Sequence, residues 1–182
     1  MRNQGILILM VSIALGAVGL QAKELVITPA KVETIGSPTD SRDSRVLVYF
    51  ELPKELYAEK VTIDNALLVF EARIMDAEFG LIHLFPATRA WQGEASISWD
   101  SPWEKAGGDF TDRIAGKCVT LKAADGEKEM ISDLTFVVMD WISGRLANNG
   151  LILVPSQTDL AESSAAFSFD KESLRLEIEY TK

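Results

Sequence analysis

The chain has 182 residues, with 27 acidic and 18 basic side chains and a formal net charge of −9 at pH 7. So acidic a surface repels nucleic acids and anionic lipids, and it disfavours charged glycans because the sequence shows no basic patch. The single cysteine, Cys118, excludes an internal disulfide and a lipid-modified amino-terminal cysteine.

The first element is an apolar run from Gly5 to Leu20, preceded by Arg2 and followed by Ala22. This pattern predicts a secretory signal peptide over residues 1–22. The apolar run is short for a membrane span, which needs about 20 apolar residues. Retention of the run as an anchor is the alternative. We expect a mature chain of roughly 160 residues that forms one domain, secreted or periplasmic, with no membrane span after signal cleavage.

Strand periodicity dominates the rest of the chain. Residues 23–45 are expected to form an amino-terminal strand and then a mobile loop, because Glu33 to Ser44 is rich in Ser, Thr, Asp and Gly. From Val46 onward apolar and polar residues alternate, which is the period of a half-buried strand. The predicted strands are 45–52, 64–74, 81–85, 95–99, 117–122, 150–154, 166–169 and 173–180. Strands with one polar face predict an all-β antiparallel sandwich of jelly-roll type.

One segment breaks this alternation. Thr135 can cap a short helix near residues 135–143, in which Val138 and Trp141 share one face and after which Gly144 can supply a left-handed end. The β-branched and aromatic residues at its start favour a strand instead. Spacing and end signals together predict the helix.

Several sequence pieces occur in one order between residues 46 and 180. They are Tyr49-Phe50-Glu51-Leu52, residues 61–69, Trp91 to Glu94, Ser98-Trp99, Trp103 to Asp109, Asp133-Leu134-Thr135 with Val138, Trp141, Gly144, Asn149 and Gly150-Leu151, and residues 176–180. This ordered set resembles the DNRLRE domain, a secreted β-sandwich related to disaggregatases and to carbohydrate-binding modules. The resemblance implies a sandwich over residues 46–182 that forms one unit with residues 23–45.

The sequence departs from the family pattern in three places. Glu51 replaces the usual aspartate, the arginine that often precedes the early strand is matched only loosely by Arg45, and the turn that commonly follows the first strand is missing. The helix-bearing motif is also similar to one in the arm domain of transforming growth factor β propeptides, which is a binding and shielding module. Because two modules with different functions share the motif, it indicates a fold and not a site.

Residues 91–110 contain three of the four tryptophans. We interpret Trp91 and Trp99, which flank a predicted strand, as buried residues, together with Trp141. Trp103 follows Pro102 in a predicted loop, where an exposed ring could stack on a sugar. Alternatively, the ring covers the end of the core.

Other candidate sites are few. Gly107-Gly108-Asp109 offers oxygen ligands for calcium, but Asp112 is the only further carboxylate nearby, so a glycine turn is favoured and no metal or other cofactor is predicted. The single histidine, His83, cannot form a multi-histidine metal site. The sequence contains no nucleophile elbow and no recognisable pair of catalytic carboxylates, so we predict no catalytic residues.

The resemblance to the DNRLRE domain, taken with these observations, implies a secreted, non-catalytic module that binds an extracellular polysaccharide or cell-wall glycan. The net charge favours a neutral glycan. Trp103 and Asp109 are the predicted ligand-binding residues. The alternative is a structural or protein-interaction module whose partner is a cell-surface protein.

Overall fold

The computed structural model describes residues 22–40, 43–75, 77–111, 119–122, 125–156 and 166–182. The predicted signal peptide lies outside these residues except for Ala22. The described strands are β1 (Ala22–Ile27), β2 (Lys31–Gly36), β3 (Ser44–Tyr49), β4 (Thr62–Ile74), β5 (Phe79–Pro86), β6 (Val119–Lys122), β7 (Lys128–Asp133), β8 (Leu151–Ser156) and β9 (Phe167–Thr181). The helix α1 spans Thr135–Ser143, and a 3₁₀ turn spans Lys54–Tyr57. Within the described ranges, no helix has the length and apolarity that a membrane crossing requires.

The strands form two antiparallel sheets. The four-stranded sheet has the order β1-β9-β4-β7, and the five-stranded sheet has the order β2-β3-β8-β5-β6. With β2 set aside, early and late strands alternate in both sheets, which is the arrangement of a jelly roll. The predicted all-β antiparallel sandwich is therefore confirmed.

The main core lies between the sheets and follows the alternation in the sequence. On β9, the residues Leu174, Leu176, Ile178 and Tyr180 are buried, as their spacing predicts. They contact inward-facing residues of both sheets in one apolar cluster. Each buried leucine or isoleucine contributes about 1.5–3 kcal/mol, so this interface is a major source of stability.

The predicted helix is confirmed, but its start differs from the prediction. Thr135 is the first helical residue and not the cap, since Leu134 occupies that position and makes no side-chain bond there. The backbone N–H and the hydroxyl of Thr135 both donate to Oδ1 of Asp133, at 2.8 and 2.6 Å. Gly144 ends the helix with φ of 73°, as predicted.

The mobile loop predicted at Glu33 to Ser44 is wrong for its first part. Residues 31–36 form β2, which pairs with β3 so that Thr34 lies opposite Val46. Ile35 is buried on this strand. The polar composition of this segment therefore gave no sign of a strand. The backbone hydrogen bonds of this edge strand are made with β3.

Three further points of the strand prediction need correction. Residues 95–99 contain no strand, whereas residues 128–133, where none was predicted, form β7. The strands predicted separately at 166–169 and 173–180 are parts of one strand, β9, which begins at Phe167. Its register shifts against β4 between Val69 and Glu71, where the Glu71 N–H donates to Oγ of Ser173 at 2.7 Å. This irregularity interrupts the alternation of apolar and polar residues along β9.

Candidate functional site

We call residues 87–111 the tryptophan flap. The flap leaves the end of β5, and an antiparallel bridge between Ala87 and Phe110 closes its base. The Thr88 N–H also donates to the carbonyl of Asp109 at 2.9 Å. Between these fixed ends the flap packs on the outer face of the five-stranded sheet, forming a second apolar cluster. The buried members of this cluster are Ile35, Leu47, Phe85, Ala87, Trp91, Trp103, Ile152 and Val154.

The flap buries two of its three tryptophans. Trp91 donates from Nε1 to the carbonyl of Asn149 at 2.7 Å, and Lys31 Nζ lies 5.6 Å from its ring centroid. The prediction that Trp91 is buried is therefore confirmed, although in the second cluster and not between the sheets. Trp99 is only half-buried.

Trp103 is 7% exposed, and its Nε1 donates to the carbonyl of Ser98 at 2.9 Å. The expectation of an exposed stacking ring is therefore wrong, and the alternative of a ring that covers apolar surface is correct. It covers the outer face of a sheet and not the end of the core. Outward-facing apolar residues such as Leu47 and Ile152 make this burial favourable. Direct ligand binding by Trp103 stays a prediction.

Arg45, on the outer face of β3, fastens the flap to the sheet. Its Nη1 donates to the carbonyl of Gly107 at 2.7 Å. The guanidinium carbon lies 4.7 Å from the ring centroid of Trp99 and 5.4 Å from that of Phe110. Burial lowers the pKa of Arg45, and nearby Asp43 opposes this shift. The group remains charged near neutral pH, and its attraction to both rings holds the flap.

Asp109 stabilises the turn over residues 104–109, which lies next to the closed base of the flap. Its Oδ2 accepts a hydrogen bond from the Glu104 N–H and its Oδ1 accepts one from the Lys105 N–H, both at 2.9 Å. Gly107 and Gly108 have φ of 85° and 106°, which L-residues rarely adopt. The favoured glycine turn is confirmed. Among the described residues, no three His, Cys, Asp or Glu side chains form a metal-binding group, and Asp112 lies outside those residues.

An open cleft of about 570 Å³ lies beside this turn. Its volume falls within the roughly 300–1,000 Å³ range of small-molecule sites. The lining residues are Thr88, Arg89, Ala90, Glu104, Lys105, Asp109 and Phe110. The cleft therefore contains Asp109 but not Trp103, so the structure separates the two predicted site residues.

Charged groups of both signs meet in the cleft. Arg89 Nη1 lies 3.7 Å from Glu104 Oε1 and 3.9 Å from Asp109 Oδ2. Both distances exceed hydrogen-bond length, so the guanidinium donors are not consumed by these contacts. The Arg89 side chain is 44% exposed and that of Glu104 is 85% exposed. Sequence patterns gave no signal for Arg89 or Glu104, because the flap places them together only after it folds back.

Comparison of the chain with protein-family models and with curated proteins found no match in either set.

Proposed function

We propose that this protein is a secreted, non-catalytic β-sandwich module, similar to the DNRLRE domain, that binds a neutral extracellular polysaccharide or cell-wall glycan in the cleft of the tryptophan flap. The observation that carries the proposal is the composition of the cleft. Arg89 and Lys105 supply hydrogen-bond donors, and Glu104 and Asp109 supply acceptors. Sugar hydroxyls both donate and accept, so they need both kinds of partner in one place.

The local charge supports a neutral ligand. Two cationic and two anionic side chains line the cleft, so their charges sum to zero, whereas the chain as a whole carries −9. An anionic glycan would meet the exposed carboxylate of Glu104 and the acidic field of the molecule. A neutral glycan avoids both penalties.

In this proposal the two predicted site residues act at different distances from the ligand. Asp109 lines the cleft while holding the turn that presents Glu104 and Lys105. Trp103 acts as a positioning residue, because its burial anchors the flap to the sheet. Rigid support of a loop is what allows its polar groups to bind without a large ordering cost.

Calorimetric titration with neutral soluble glycans, such as a β-glucan, a xylan and a galactomannan, tests the proposal. We expect Arg89→Met and Glu104→Gln each to weaken binding about tenfold, since each removes a charge-assisted hydrogen bond. Matched controls are Arg73→Met and Glu59→Gln, which change exposed charges outside the cleft. The absence of binding to every neutral glycan, or equal losses in cleft and control variants, would overturn it.

A further inference from the structure

The outer face of the four-stranded sheet differs from that of its partner sheet. The partner sheet is covered by the tryptophan flap, whereas on the face formed by β1, β9, β4 and β7 the described part of the chain leaves Ile131 57% exposed. Glu24 and Glu179 are exposed on the same face, and Val26 and Leu67 are half-buried there. This face therefore combines accessible apolar surface with accessible carboxylates.

A groove of about 180 Å³ crosses this face between β1 and β4. The strand register arranges its lining in two rows that run across the sheet. One row is Glu24, Glu179 and Asn65, and the other is Val26, Glu177 and Leu67. The rows lie two residues apart, about 7 Å, which the side chain of a lysine or arginine can span. A cavity of about 150 Å³ holds a benzene molecule, so the groove suits one long side chain and not a sugar chain.

The two rows differ in what they offer a ligand. In the second row, Glu177 Oε1 is bonded to Arg175 Nε at 2.7 Å, which leaves Val26 and Leu67 as its free apolar surface. In the first row, Glu24 and Glu179 lie directly opposite each other. Neither forms an ion pair with any of the described residues. Like charges in opposed positions destabilise a sheet, and a bound cation relieves that repulsion.

We propose that this face docks an extended segment of a partner protein in which lysine or arginine residues alternate with apolar residues. A cationic side chain in the groove packs its methylene stem on Val26 and Leu67 and places its charge between Glu24 and Glu179. The neighbouring apolar side chains of the segment lie toward Ile131, the exposed apolar residue of β7 on this face. A free small cation would leave that surface uncovered.

Charge complementarity favours this cationic segment over a second copy of the chain, a nucleic acid or a glycan. A second copy of the chain would place Glu24 and Glu179 against the same residues, which costs free energy in a molecule of charge −9. Nucleic acids and anionic glycans are repelled for the same reason. A neutral glycan would leave the Glu24 and Glu179 repulsion unrelieved. The docking face is on the opposite sheet from the flap cleft, so this inference does not rest on the proposed glycan binding.

The test uses a synthetic eight-residue peptide of alternating lysine and leucine, titrated into the labelled protein and followed by NMR. We expect amide shifts at residues 24–26, 65–67 and 177–179. The double variant Glu24→Gln, Glu179→Gln should bind the peptide about fivefold more weakly, because two exposed charge contacts are lost. The control Glu59→Gln, Glu127→Gln has the same net charge and should change affinity less than about twofold.

Val26→Thr serves as a second variant, since it removes apolar contact with little change in shape. We expect about threefold weaker peptide binding with an unchanged melting temperature. Equal losses in the acidic and control double variants would overturn the proposal. So would equally tight binding of a serine-leucine peptide, the same amide shifts with a neutral glycan, or concentration-dependent shifts that indicate self-association.

Discussion

At position 103 the indole ring packs against the outer face of the five-stranded sheet, and its nitrogen donates to the carbonyl of Ser98. A loop tryptophan between charged neighbours is thus buried, because the sheet beneath it presents apolar residues outward. This burial attaches the flap to the sheet.

We expect Trp103→Ala to lower the free energy of unfolding by about 3–5 kcal/mol, as large-to-small changes at buried aromatic positions do. Trp103→Phe should cost less, since it keeps an aromatic ring. Urea denaturation followed by circular dichroism measures both. A loss below about 1 kcal/mol in the alanine variant would mean that the ring is exposed in solution.

Arg45 allows a second prediction at this scale. Arg45→Met removes the bond to the Gly107 carbonyl and the attraction to Trp99 and Phe110, so we expect a loss of about 2 kcal/mol. Arg45→Lys should lose less stability than Arg45→Met, because lysine keeps the charge but not the planar fork. The measurement is hydrogen exchange of the flap amides, which should accelerate in Arg45→Met. Arg73→Met is the control, and equal exchange in both variants would contradict a fastening role.

At the scale of elements, the flap depends on a close approach between Gly107 and the side chains of Arg45 and Trp99. A Cβ atom at Gly107 would lie 2.6 Å from Arg45 Nη1 and 2.9 Å from the ring of Trp99, and φ there is 85°. The backbone and the space around it therefore both require glycine.

Three alanine variants separate these two requirements. Gly93→Ala meets no atom within 4 Å and should cost less than about 1 kcal/mol; Gly126→Ala, with φ of 67° and open space, should cost about 1–2 kcal/mol. Gly107→Ala should cost clearly more than Gly126→Ala, because it adds a clash with Arg45. Melting temperatures give the comparison. Equal costs at positions 107 and 126 would show that the flap can move away from the sheet.

The elements of this fold differ in how far local sequence patterns predict them. The strands at 64–74 and 173–180 were predictable because alternation is local and each has one buried face. The strand at 31–36 was not predictable, because it is held by backbone hydrogen bonds to β3. The periodicity of side chains does not detect such pairing. Of the candidate site, the Asp109 turn was predictable from its glycines. The positions of Arg45 and Arg89 depend on how the flap folds back, which no local pattern records.

For the whole molecule, the jelly-roll order places β9 between β1 and β4 at the centre of one sheet. Tyr180 lies on β9 with its ring in the main core and its hydroxyl hydrogen-bonded to Glu55. Burial raises the pKa of Tyr180 above its ordinary value of 10.0, and the charge of Glu55 raises it further. Ionisation of this one phenol therefore opposes the packing of the two sheets.

This shift predicts a loss of stability in alkali. The folded protein holds the Tyr180 proton more tightly than the unfolded chain, so its contribution is complete below about pH 10 and is lost as the pH rises toward the folded pKa. Tyr180→Phe cannot ionise at this position, and we expect it to lose less stability between about pH 9 and about pH 11. Urea denaturation at both pH values tests this. Equal losses of stability in the wild-type protein and in Tyr180→Phe would show that groups other than Tyr180 cause the alkaline destabilisation.

The division of the tryptophans between two clusters also decides what an optical probe reports. Trp91, Trp99 and Trp103 belong to or pack against the cluster under the flap, whereas Trp141, on α1, packs in the main core. Intrinsic fluorescence of this protein is therefore chiefly a signal from one surface loop. A fluorescence transition that precedes loss of the far-ultraviolet β signal would mark release of the flap from a sandwich that is still folded, and the two spectra together can time those events separately.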